Sequence, residues 1–123
     1  MMKQVLLVFL GGGAGSIIRF LISRSLQNQS GMPYGTFTVN ILGSLLIGML
    51  IGLSLRNNLI SNNLYLLLAT GFCGGFTTFS AFAAENQAFL RAGDLYHFAL
   101  YSLGSLIFGF GAVFVGLFLS RLF

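Results

Sequence analysis

A chain of 123 residues that is 56% hydrophobic and 7% charged cannot coat a water-soluble globule, since soluble domains carry about a quarter charged residues. The net charge of +4 comes from scattered basic residues and not from a Lys/Arg run of the kind that binds nucleic acid. One cysteine, Cys73, excludes an intrachain disulfide, and with His97 the only histidine, metal ligation by Cys and His side chains is not expected. Length sets one domain, residues 1–123, and composition makes it an integral membrane domain.

Four apolar stretches follow in order, each near the ~20 residues that span a bilayer. The first runs from Gln4 to Leu26. Its opening, MMKQVLLVFLGGGAGS, has the charge-then-apolar order of a cleaved leader, but apolar sequence continues through IIRFLI, so it reads as a retained span. After the polar turn QNQSGMP, which holds the only proline, the second stretch covers 35–55 and ends at RNN. The third covers 64–89, RAGD is the next turn, and the fourth covers 96–122, with Asp94 and His97 assigned to the loop region before it. Short loops predict an all-α, up-down bundle. Gly11 and Gly15, and likewise Gly48 and Gly52, have the small-xxx-small spacing that lets membrane helices approach closely.

Loop charges give almost no orientation signal. One side of the bundle would hold Lys3, Arg56 and Arg121, and the other Arg24 and Arg91, with Arg19 if it reaches an interface. Orientation normally follows the Lys/Arg bias of short loops. A balance this even predicts insertion in both orientations, and two oppositely oriented copies would supply eight helices with the inverted relation that transporters use.

The segment GFCGGFTTFSAF, 71–82, carries most of the chemistry. Gly71, Gly74 and Gly75 weaken a helix, and Thr77 and Thr78 can bond back to the chain. A break near the middle of the third helix is therefore expected. Its freed carbonyls need another helix or a bound cation. Phe76, Phe79 and Phe82 lie three apart on one broad face. Such a stripe serves either as core or lipid contact, or as a set of positive ring edges that meet a small anion beside hydroxyl donors. Thr36 and Asn40 share a face of the second helix, as do Tyr101 and Ser105 of the fourth. Asn40 must find a partner on another helix or a ligand. Arg19 and Glu85 are the charges deepest in apolar sequence, and such groups are functional candidates by default. Glu85 fits a hydrogen-bonded or Arg91-paired place near a helix end, or the proton-exchanging acid of a small dual-topology multidrug-type transporter. A non-transporting membrane scaffold is the remaining reading. No Ser-His-Asp set, paired carboxylates or phosphate loop is present, so an enzyme is not expected.

Three stretches, GGGAGSIIRF at 11–20, GTFTVNILG at 35–43 and GFCGGFTTFSAF at 71–82, closely resemble the Fluc (CrcB-type) fluoride channels of microbes. The resemblance implies a multi-pass protein of the cell membrane, an antiparallel dual-topology homodimer in lipid, that lets cytoplasmic fluoride leave passively through two pores. It implies ring-edge fluoride contacts from Phe79 and Phe82, a pore-lining Asn40, and nearby hydroxyls from Thr78 and Ser80. It further implies a polar track from Tyr101 and Ser105, Arg19 at a vestibule, and a central structural sodium ion on the backbone carbonyls of Gly74 and Thr77. Two positions depart from the pattern. Relatives often carry another hydroxyl one turn beyond Ser105, where this chain has Gly109, and Ala81 replaces a common hydroxyl residue.

Overall fold

The computed structural model describes residues 1–56 and 59–123. Asn57 and Asn58, which close the second apolar stretch, lie outside the described residues. Among the described residues all regular structure is helical, and four helical spans are long and apolar enough to cross a membrane. They comprise α1 (Met2–Ser25), α2 (Tyr34–Leu55), a composite third span (Asn62–Arg91) and α6 (Leu95–Ser120). The third span divides into α3 (Asn62–Tyr65), a π-helical segment (Leu66–Cys73), α4 (Gly74–Phe76) and α5 (Phe79–Arg91).

The spans begin where side chains cap them. The Ser61 side chain accepts from the Leu64 amide, so Asn62 and Asn63 form the first turn of a span expected to start at Leu64. Asp94 is likewise the N-cap of α6, accepting from the His97 amide, and His97 lies in the first helical turn and not in the loop. Pro33 precedes α2, where the missing N–H costs no helical bond. An arginine stands at the C-terminal end of every span: Arg24 and Arg91 in last turns, Arg56 and Arg121 at C-caps. The helix dipole favours cations there. Arg56 Nη1 also donates to the Ser120 carbonyl at 3.1 Å, which ties the C-terminal ends of α2 and α6 to one face of the bundle.

Two close helix pairs form the frame. On α1, a Cβ at Gly11 would run into the Leu67 carbonyl, and one at Gly15 into the Phe72 carbonyl. The widened π-helical backbone of the third span packs directly against this glycine face. Between α2 and α6, Gly48 meets Val113 and Gly116 meets Leu45, again backbone to backbone. The small-xxx-small positions thus act as contact surfaces. The buried core is thin, with Leu50, Ala69 and Cys73 at its centre. Most large apolar side chains of α1 and α6 point outward, as bilayer solvent allows.

Candidate functional site

The third span breaks at Thr77–Thr78, which are extended between α4 and α5. Five side chains re-route its hydrogen bonds. Thr78 N–H, which in an unbroken helix would donate to the Gly74 carbonyl, donates to Asn40 Oδ1 at 2.8 Å. Asn40 Nδ2 returns a bond to the Thr78 carbonyl at 3.1 Å. Ala81 N–H, which would otherwise reach Thr77, donates to Thr78 Oγ1, the N-cap of α5. The Gly75 carbonyl accepts from Arg19 Nε at 2.9 Å and from Ser16 Oγ at 3.4 Å. The Cys73 carbonyl accepts both the amide and the hydroxyl of Thr77. The Gly74 and Thr77 carbonyls are therefore released from their helical donors by named residues, while the Cys73, Gly75 and Thr78 carbonyls each accept a bond. Such carbonyls suit a hard cation. Among the described residues no three His, Cys, Asp or Glu side chains come together, so a cation here would rest on backbone oxygen.

Beside the break, α2, the third span and α6 enclose an open groove of about 440 Å³. Its walls include Asn40, Thr78, Phe79, Phe82 and Ser105, together with Gly74 and Thr77. No charged residue lines it. The Phe79 and Phe82 rings lie 5.9 Å apart, tilted by 42°. Phe79 is 79% exposed, although Phe76, one turn earlier in the same motif, is buried. Asn40 uses one of its two amide protons on Thr78 and keeps the other. The Ser105 hydroxyl is buried and has no hydrogen-bond partner in the described residues. A buried donor without an acceptor is costly and calls for a ligand or water.

The other expected positions lie around this groove. Ser80 is exposed and shares a 3.1 Å hydroxyl contact with Thr78. Tyr101 is buried behind Phe82, with ring centroids 5.2 Å apart, and does not line the groove. Its hydroxyl donates to Glu85 Oε2 at 3.3 Å, and Thr36 Oγ1 donates to Glu85 Oε1 at 2.6 Å. A pairing of Glu85 with Arg91 does not form. Arg91 bonds Gln87 instead, and Glu85 sits mid-helix between α2 and α6, held by two hydroxyls. Arg19 is half-buried and pinned to the break by Gly75.

A family model described as CrcB-like protein, Camphor Resistance (CrcB), matches residues 6–117. The chain belongs to the CrcB family. Three similar proteins carry the name fluoride-specific ion channel FluC. One from Azobacteroides pseudotrichonymphae genomovar. CFP2 is 44% identical, with both chains fully covered. One from Gloeothece citriformis is 48% identical over 98% of each chain. One from Phocaeicola vulgatus is 45% identical over 98% of this chain and all of its own. The relatives of this CrcB-family chain are thus channels, not enzymes, and match it along its whole length.

Sequence reasoning missed the remaining groove wall, notably Gly43 and Ser44. The signal for Ser44 was present: it lies one turn beyond Asn40 on the same face of α2.

Proposed function

We propose that the chain is a fluoride-specific ion channel of the cell membrane, through which cytoplasmic fluoride leaves passively. The observation that carries this reading is the groove in which Phe79 and Phe82 stand over the free Asn40 amide proton and the unpartnered Ser105 hydroxyl. Fluoride is strongly hydrated, and removing that water in an apolar medium costs on the order of tens of kcal/mol. Small neutral donors and positive ring edges can replace the water without a fixed cation that would trap the ion. The bonded Thr78 and Ser80 hydroxyls leave one further donor at the break, and Tyr101 backs Phe82. Arg19 adds positive potential near the groove from the Gly75 side.

The working unit in this reading is an antiparallel, dual-topology homodimer in lipid. Three features support it: the even split of loop cations, the open side of the groove, and the exposed Phe79 ring, which a partner would cover. A structural sodium ion at the dimer centre would be held by the Gly74 and Thr77 carbonyls. The fit rests on those two oxygens having lost their helical donors. The ion would supply a fixed positive charge that holds the two breaks together.

Fluoride efflux from liposomes, read with a fluoride electrode and repeated with chloride, tests the proposal. Fluoride should leave rapidly while chloride stays. Phe82→Ile keeps apolar volume and removes the ring edge, and should slow efflux roughly tenfold, equivalent to ~1.4 kcal/mol of barrier. Wild-type protein that passes no fluoride would refute the channel, and unchanged Phe82→Ile flux would refute the ring-edge role.

A further inference from the structure

α6 gives the groove one hydroxyl, Ser105, and one turn further on presents Gly109, which has no side chain to offer. The facing wall fills the gap. Ser44 of α2 also lines the groove, and its Oγ lies 4.0 Å from where a Cβ on Gly109 would stand. No hydrogen bond from Ser44 occurs among the described residues, whereas the Thr77 and Ser120 hydroxyls bond back to carbonyls of their own helices at 2.8 and 2.6 Å. A serine within an apolar span normally takes that local bond. Ser44 instead has no such bond and lines the groove, one turn from Asn40 on the same face of α2.

We infer that Ser44 is a further anion-contacting residue of the groove, donating its hydroxyl to the permeant ion beyond Ser105. This rests on the channel reading. The donor line therefore changes walls: Asn40 and Ser44 follow one another on α2, and Ser105 faces them from α6. Gly109 is what makes room for the crossing.

The geometry offers a test by relocation. Ser44→Ala removes the donor and little volume. Gly109→Ser places a hydroxyl on the opposite wall, and at 4.0 Å its Cβ meets Ser44 at ordinary contact distance, so the side chain fits. Fluoride efflux from liposomes is measured for wild type, Ser44→Ala, Gly109→Ser and the double variant, each shown by size-exclusion chromatography to keep its assembly state. Loss of a hydrogen bond to a charged group predicts that Ser44→Ala slows efflux roughly tenfold or more. The double variant should recover most of the wild-type rate, since a hydroxyl is restored to the same section from the other side. A serine needed only for packing would not be rescued this way. Wild-type efflux from Ser44→Ala, or a double variant no faster than the single one, overturns the assignment while leaving the channel reading intact. Wild-type protein that passes no fluoride overturns both.

Discussion

Asn40→Ala is the substitution that most directly probes how the break is held. It removes two hydrogen bonds, at 2.8 and 3.1 Å, and strands the Thr78 N–H and carbonyl between helices. Each bond contributes about 1 kcal/mol net in a typical protein, and each stranded buried group costs ~1–3 kcal/mol. Membrane interiors soften these values to about 0.6 kcal/mol per polar contact, because the unfolded chain in lipid also finds partners. Asn40 is half-buried, so we expect a loss of about 2 kcal/mol, between those limits. Asn40→Asp divides the effect. Its carboxylate still accepts from Thr78 N–H but sets a second acceptor against the Thr78 carbonyl, so less than half the stability should return, under about 1 kcal/mol. Fluoride flux should not return, because the groove gains a negative charge. The chain contains no tryptophan, so helix loss by circular dichroism in detergent is the suitable stability assay, with efflux measured on the same preparations. Equal stability of wild type and Asn40→Ala would show that the break stands without Asn40 and would refute the reasoning.

Two further substitutions test the frame. Gly15→Ala drives a Cβ into the Phe72 carbonyl and to 2.9 Å from the Phe76 amide, and should cost ~1–3 kcal/mol by overpacking. Gly111→Ala meets nothing within 4 Å and should stabilise α6 by up to ~1 kcal/mol; thermal melts that rank them the other way would refute the assigned packing. Asp94 is held below its ordinary carboxylate range, chiefly by accepting the His97 backbone N–H. A lowered carboxylate adds stability above its ordinary value, near 3.8, and loses it as the pH falls through the lowered one. Protection of the His97 amide, its exchange rate set against the intrinsic rate at each pH, should therefore fall in acid. Asp94→Asn keeps a capping acceptor and should lack that acid dependence; an unchanged profile would place its origin elsewhere.

The four spans and the place of the break could be read in advance because both are local. Hydropathy marks a span, and GGFTT at 74–78 marks a segment poor at continuing a helix. Capping blurred the ends: Asn62 and Asn63 look like loop residues until Ser61 is seen to cap them. What stayed hidden depends on distant partners. Asn40 was legible as a buried amide, but not that it replaces a missing turn of a helix 38 residues away. Glu85 takes its partners from 49 residues earlier and 16 later, Thr36 and Tyr101, and the nearby Arg91 was a misleading neighbour. The widening of residues 66–73 into a π-helix has no plain sequence mark, and it accompanies close contact with the glycine face of α1.

The arginine at the C-terminal end of each span bears on how the chain is made. Spans of an up-down bundle alternate in direction, so cations placed by the helix dipole fall two to each face. A translocon that reads Lys/Arg asymmetry receives a tied vote from them. Only Lys3 and Arg19 remain to break the tie, and Arg19 is occupied within the bundle by Gly75. In the dual-topology reading, a rule that stabilises each helix singly leaves the whole chain with little orientation signal. One extra lysine in a loop on the same face as Lys3 would add to the one bias that remains.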